Sequence, residues 1–581
     1  MYQSIKWNLK DLIKNPKDID KILNKTRLLV KKVETYKKKL NPFLSEKDFI
    51  SIIKLIEEIK ENSSLVSQFP SLWTSADVKS QEAKALESKI DDILTGFDNK
   101  LIFFSLWWKD LDTKNAKRLM KNAEEYRYYL KLSRQLKPYT LTEAEEKIIN
   151  IKDSTGSGTL VDLYEMLKTG FKYRFEGKNQ TESELSIYVR NKNPKKRELA
   201  YKLLLEKYKE YDSELGYIYQ TVIRDYKNEC ITLRGYKSPL TVRNISNDLP
   251  DNIIDTLLKV CKKNVTIFQK YFKLKAKLMK LKKMNRYHLY APAGKAERKY
   301  GFDEAVILTL DSYKKFSPEI EKLIRKVLDE KHLDSELRLT KKSGAFCASI
   351  RPKDTPYVLM NYTGTARDVA TLAHELGHAA HSMLASSQNI FAFHPVLPLA
   401  ETASVFGEML LSESLIEHET NRSIKIHMLC SKLDDIYATI ARQIFFTIFE
   451  KDAHEAVANG ATVKELCEIY LKNLKEQFGN AVNVPKDFKY EWLYVPHIFF
   501  SPFYCYAYAF GNLMVFALYE MYKKEGKSFI PKYIRMLSQG GSMPPIKILH
   551  ELGINPASEK FWQQGFDYVA QQVDELEKLI K

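Results

Sequence analysis

The run TLAHELGHAAHSML (371–384) is apolar, free of proline, and carries histidines at 374 and 378. Such a stretch reads as a helix, and four residues make slightly more than one turn, so His374 and His378 project along the same face. Two neutral imidazoles so placed can bind one zinc ion. Glu375, directly after the first histidine, is then left beside an open coordination position, where a carboxylate can act as a base on water. Thr365 and Asp368 form a T-x-x-D capping box that would start the helix just upstream. The competing reading is a buried helix whose histidines satisfy backbone partners. A near copy of the motif, His550-Glu551-Leu552-Gly553, is followed by Ile554 and lacks the second histidine.

A catalytic zinc takes three protein ligands and one open position. A three-histidine zincin would need glycine at position 381 and histidine at 384, where the chain has His381 and Leu384; a thermolysin-type glutamate would fall at Leu397. The next strong candidate is Glu401, in LAETASVFGEML, beyond a turn marked by Pro395 and Pro398. This segment is again helical in pattern, with Glu401, Ser404, Val405 and Glu408 on one face. Glu401 is the expected third ligand. Glu408, two turns on, is expected to orient a ligand histidine through its other ring nitrogen; an exposed carboxylate or a structural ion pair is the alternative.

With HELGHAAH followed by ETASVFGE, the chain resembles the M3 peptidase family, and within it the oligoendopeptidase F branch. Similar stretches are RNKNPKKRELAYKLLLEKY (190–208), SGAFCASIRP (343–352), YVLMNYTGT (357–365), HIFFSPFYCYAYAFGN (497–512) and LSQGGSMPPIKILHELGI (537–554), and the opening IKWNLKDLIKN also matches. One departure is His288, where the branch is expected to carry an acidic residue. The resemblance implies a mainly α fold: two helical lobes enclosing a deep channel, with a small β-sheet near the active site. It implies a metalloendopeptidase that uses one Zn²⁺ to hydrolyse internal bonds of short peptides, with Glu375 activating the attacking water. It further implies that a histidine and tyrosines on a later helix contact substrate and stabilise the oxyanion. The matching residues are His497, Tyr504 and Tyr508; Tyr504 and Tyr508 share a helical face, whereas Tyr506 points elsewhere. Half-buried core tyrosines are the alternative. Two rival functions are a zinc carboxypeptidase of the same superfamily and a non-catalytic peptide-binding protein, the latter disfavoured by intact His374, Glu375, His378 and Glu401.

At 581 residues the chain exceeds the usual size of one core. A helical amino-terminal lobe is expected over 1–185 and the catalytic region over 186–581, with STGSGT (154–159) and FEGKNQTESE (175–184) as candidate linkers. Helix-period runs dominate, among them FISIIKLIEEIKEN (49–62) behind a Ser45–Asp48 cap. Strand signals cluster at AFCASI and YVLMNY. Six scattered cysteines read as free thiols in a reducing compartment, and the opening residues lack the apolar core of a signal peptide, so a cytoplasmic location is expected.

The net charge of +18 raises the question of an anionic partner. No nucleic-acid motif accompanies it, and the lysines are spread along helices. The densest run, YFKLKAKLMKLKKM (271–284), reads as an amphipathic helix with a solvated basic face. A preference for acidic peptides would show as weaker binding with rising salt. The segment from Ile498 to Tyr519 has no charged residue, yet its serine, proline, asparagine and four tyrosines favour a buried core helix over a membrane span. Gly540-Gly541 has the backbone freedom of a loop that closes over substrate; a plain turn between helices fits equally well. The oligomeric state is not readable from the chain.

Overall fold

The structure, a computed structural model, describes residues 2–293 and 298–581. It is mainly helical, as expected, and the helix starts show why. Ser45, Ser80 and Asp112 each turn a side-chain oxygen onto a first-turn amide of Glu46–Ala76, Gln81–Asp110 and Thr113–Met120. Each such cap satisfies an amide that the helix cannot, for about 1 kcal/mol. The apolar stripes then dock. Phe49, Ile52, Ile53 and Ile56 bury against Ile19, Leu23 and Val30 of Lys17–Thr35, while Phe97, Phe104 and Trp108 complete the same cluster.

Strand is scarce. Tyr357–Leu359 forms the centre of a three-stranded sheet, parallel to Leu333–Asp334 and antiparallel to the edge strand Phe346–Ala348. This is the sheet anticipated from AFCASI and YVLMNY. Trp7, Leu72, Ile350, Tyr357 and Leu359 pack as its small core.

The chain forms two compact units. The first comprises Met1–Lys137, Arg298–Glu417 and Met521–Ile554; the second comprises Pro138–Glu297, His418–Glu520 and Asn555–Lys581. These units are a different division from the one between 1–185 and 186–581, because each core recruits helices remote in sequence. In the second unit Asp251–Leu278 packs along the final helix Glu559–Ile580, with Lys259 paired to Glu559 and Lys270 to Asp574. Both expected linkers are structured parts of this unit. Glu143–Thr155 and Ser157–Gly170 are helices separated only by Gly156. Glu176 and Gly177, at φ 48° and 83°, turn a hairpin between Tyr173–Phe175 and Lys178–Gln180, and a Thr181–Glu184 capping box then starts the next helix.

The lysine-rich run 271–284 is helical only as far as Leu278, with Lys280 at φ 57° and Met284 in a short strand, and its lysines are not all solvated. Lys273 and Lys277 are exposed on Asp251–Leu278, but Lys275 is fully buried. Its Nζ donates to both Asp434 oxygens at 2.7 and 2.6 Å and to the Leu289 carbonyl at 2.7 Å, while the Tyr271 hydroxyl donates to the same carboxylate at 2.6 Å. A buried ammonium is tolerable only with partners of this quality. The uncharged segment beginning at Ile498 is core: it contributes to His497–Phe500 and Tyr506–Glu525, and in the latter every residue from Leu513 through Leu518 is buried. Among the described residues no helix is long and apolar enough to cross a membrane.

Candidate metal centre

The centre is built in the first unit from helices that touch at glycine. The capping box forms as read: Thr365 accepts from the Asp368 amide, Asp368 accepts from the Thr365 amide, and the helix Ala366–Leu384 follows. Thr402–His418 lies against it at backbone contact. A Cβ on Gly377 would stand 2.6 Å from the Ala403 carbonyl oxygen and 2.7 Å from Ser404 Cα. Tyr313, from the helix Phe302–Phe316, fills the remaining gap and donates its buried hydroxyl to the Ala373 carbonyl at 2.8 Å. A Cβ on Gly407 would overlap that tyrosine ring. The glycines of HELGH and VFGE are therefore what allow two carboxylates to reach the histidines.

Glu401 sits at the joint between Leu397–Ala400 and Thr402–His418, rather than inside one continuous helix. Its carbonyl still accepts from the Val405 amide, and the next carbonyl, of Thr402, is held by the buried Tyr533 hydroxyl at 3.1 Å. Glu401 Oε2 lies 3.2 Å from His374 Nε2 and 3.4 Å from His378 Nε2, and the three donor atoms all fall within 4.8 Å of one another. Ligand bonds of about 2.0–2.1 Å in a tetrahedron separate neighbouring donors by roughly 3.3 Å. Two imidazoles and a carboxylate at this spacing fit a zinc ion.

Glu408 Oε2 lies 3.2 Å from His374 Nδ1. A carboxylate accepts, so Nδ1 donates its proton to Glu408, and Nε2 is the ring atom that faces Glu401. Burial works against a His374 cation, but the Glu401 and Glu408 carboxylates outweigh it and raise its pKa to about 10. Glu401 shows the converse: despite burial, His374 and His378 hold its pKa far below the usual carboxylate range. Glu375 is buried, which pushes its pKa up, only partly offset by the two histidines.

His374, Glu375, His378 and Glu401 line a cleft of about 390 Å³ with Phe346, Cys347, Ser349, His381 and His394. The sequence assigns no role to those five, although SGAFCASIRP carries part of the resemblance and a strand pattern. The edge strand brings Phe346 and Cys347 there. Burial and the neighbouring His378 and His394 lower the His381 pKa to about 3, so it serves as a neutral wall. Gly540-Gly541 is a turn after Phe529–Ser538 that packs on the backbone of Ala392, Phe393 and His394, the last two of which line the cleft. The Gly541 amide donates to the Ala392 carbonyl at 2.8 Å, and a Cβ on Gly541 would stand 2.2 Å from the His394 carbonyl oxygen.

The second unit brings together the other three candidates. Tyr508 Oη lies 3.3 Å from His497 Nε2, and the Tyr504 ring centroid is 5.9 Å from that of His497 and 5.4 Å from that of Tyr508. All three side chains are half-buried. Burial, then the charges of Arg442 and Lys168, lower the His497 pKa. Tyr506 does point elsewhere: it is buried and accepts from Asn247 Nδ2 at 2.7 Å. His288 also lies in this unit, its pKa lowered by burial and by Arg197.

Helical scaffold and donor set together define a metallopeptidase-type centre, and comparison with known proteins agrees. Residues 187–568 match peptidase family M3, and residues 107–172 match Oligopeptidase F. The chain is 27% identical to an oligoendopeptidase F homolog of Borreliella burgdorferi, covering 99% of this chain and 98% of that one. It is 23% identical to oligopeptidase PepF of Bacillus subtilis, over 99% and 87% of the two chains. A crystal structure of oligoendopeptidase F from Enterococcus faecium superposes with a TM-score of 0.73 at 20% identity, covering 97% of this chain and 99% of that one. The chain belongs to peptidase family M3, in its oligoendopeptidase F branch, and is an enzyme of the metalloendopeptidase class.

Proposed function

We propose that the protein is a zinc-dependent oligoendopeptidase that hydrolyses internal bonds of short peptides in a reducing, cytoplasmic setting. The observation that carries this reading is the convergence of His374, His378 and Glu401, with Glu375 buried beside them. These three side chains would hold one Zn²⁺, which when bound supplies Lewis acidity for acidifying water and polarising a peptide carbonyl.

Glu375 takes a proton from the attacking water and delivers it to the departing amine. Its buried place beside His374 and His378 in the cleft suits that role. Glu408 holds the His374 ring in the tautomer and orientation that ligation requires. A hydroxyl from Tyr508 or Tyr504 donates to the developing oxyanion and His497 contacts substrate. Support for that trio is its mutual contact in the second unit and its place in the segment that matches the family. The edge strand Phe346–Ala348 supports an extended peptide in the cleft, because an edge leaves backbone groups unpaired on one side. The reaction proceeds by direct water attack, so none of the six free cysteines takes part.

The test is a short internally quenched peptide blocked at both ends, assayed with and without a chelator and then with zinc restored. Chelator-sensitive internal cleavage that zinc recovers is expected. Trimming of unblocked peptides alone would make the enzyme a carboxypeptidase, and zinc binding without cleavage of either would make it a peptide-binding protein.

A further inference from the structure

Beside His497 the second unit holds an unbalanced charge. Arg286, almost fully buried, donates to Glu491 Oε1 at 2.5 Å, and Arg442 donates to the same oxygen at 3.1 Å. The other oxygen, Oε2, accepts from the Tyr470 hydroxyl at 3.1 Å. Two guanidinium groups thus share one carboxylate, leaving one positive charge unmatched within the cluster. The groups facing Arg442 do not cancel it. Besides Glu491 they include Tyr290, Tyr437 and Tyr470, whose buried phenols stay neutral, and the Phe446 ring, 5.1 Å from the guanidinium carbon, which carries no charge.

Arg442 also differs from Arg286 in how it is satisfied. Arg286 is enclosed, with 1% of its side chain exposed, whereas 22% of the Arg442 side chain is exposed. Among the described residues, Arg442 makes one hydrogen bond, from a single Nη to Glu491, so most of its forked donor set is uncommitted. Nearby, the buried Tyr290 hydroxyl has no hydrogen-bond partner among the described residues. The charge of Arg442 reaches His497, lowering its pKa along with burial. A planar fork with free N–H groups, an excess positive charge and an orphaned hydroxyl are together suited to a carboxylate.

We propose that Arg442, with the Tyr290 hydroxyl, receives a carboxylate of the peptide substrate and makes the enzyme selective for peptides that carry one. This rests on the peptidase reading above and on the assignment of His497 to substrate contact. The carboxylate has two sources in a peptide, the free carboxyl terminus and an acidic side chain, and both present the same pair of oxygens to the guanidinium. Arg442 is assigned a specificity role, while Arg286 keeps Glu491 paired.

The experiment compares internally quenched peptides of one core sequence on the full-length, zinc-loaded enzyme. One carries a free carboxyl terminus and no acidic residue; a second is its amide. A third and fourth are amides that contain Glu or Gln at successive positions. For the wild type, kcat/KM should favour a carboxylate-bearing member over its neutral counterpart by about 10- to 100-fold, the range of a charge-assisted hydrogen-bonded pair. A free-terminus preference identifies the terminal carboxylate as the source, and a Glu-over-Gln preference identifies the side chain. Arg442→Gln should collapse the ratio toward one. Arg442→Lys should restore part of it, because charge returns without the fork. Thermal melting of both variants separates this from misfolding, since partial rescue of the ratio by lysine at equal melting temperature is not a packing effect. Equal cleavage of acidic and neutral peptides by the wild type, or an unchanged ratio in Arg442→Gln, overturns the proposal while leaving the peptidase reading intact. Failure to cleave any member overturns both.

Discussion

Removing the Glu408 carboxylate offers a graded test of how the metal centre is held. In Glu408→Ala the His374 Nδ1–H loses an acceptor at 3.2 Å. The ring can then rotate, and its Nε2 becomes a weaker donor. A hydrogen bond to a charged group is worth about 1.5–3 kcal/mol. The Glu408 side chain is 40% exposed, so solvent screening places the effect near the lower end of that range. At about 1.4 kcal/mol per decade, zinc affinity should fall about tenfold. Glu408→Gln, which keeps an uncharged acceptor, should fall between alanine and the wild type. The assay is competition for zinc between the metal-free protein and a chromophoric chelator of known affinity, which needs no turnover. Zinc affinity of Glu408→Ala within about twofold of the wild type would refute the reasoning and make Glu408 a mere surface carboxylate.

Other outcomes follow from the same structure. Glu375→Gln should lower kcat by about 100-fold or more while zinc binding persists, the loss typical of a general base; full activity by single-turnover assay would remove Glu375 from its role. Gly377→Ala should cost about 1–3 kcal/mol of stability and weaken zinc binding together, because its Cβ is driven against Ala403 and Ser404. Urea denaturation and chelator competition read the two effects, and wild-type values in both would contradict the close packing. Breaking the Lys275–Asp434 pair by Lys275→Met should cost about 3–5 kcal/mol, since it strands a buried carboxylate; a urea midpoint equal to the wild type's would argue against the burial. Glu450 supplies a pH test. Its Oε1 accepts from the Phe503 amide at 2.7 Å, and burial raises its pKa from 4.5 to about 8. The folded state therefore keeps the proton that the unfolded chain releases. Its contribution to stability is full below pH 4.5 and is lost as pH climbs to about 8. Glu450→Gln should flatten that part of the stability profile, and an undiminished slope would show that the carboxyl titrates normally.

What the sequence made legible was local or came from resemblance. The T-x-x-D box, the two histidines one turn apart and the Ser45 cap depend on residues within a few positions of one another, and each formed as read. Glu401 was found as the next acidic residue after two ligand patterns had failed, although its position at a helix joint was not anticipated. The fit between helices was hidden. Nothing near Tyr313 signals that its hydroxyl will seat on the Ala373 carbonyl, or that Gly407 exists to admit its ring, because the partners are brought together only by packing. Lys275 looked like one more solvated lysine until Asp434, on another helix, supplied the countercharge. The two candidate linkers were misread for a related reason: glycine, serine and polar residues mark tight turns as readily as flexible joints. The interleaving of the two units has no local signature at all.

That interleaving bears on the order in which the centre can be completed during synthesis. His374, Glu375, His378, Glu401 and Glu408 leave the ribosome well before Met521–Ile554, the last part of their unit. Yet Tyr533 holds the Thr402 carbonyl beside Glu401, and Gly541 braces the loop at Ala392 that leads into the cleft wall. A nascent chain thus carries every donor atom while the joint that aims Glu401 still lacks its support. A product cut short before the final segment would keep the motif without the Tyr533 hydroxyl and Gly541 amide that support the joint and the cleft wall.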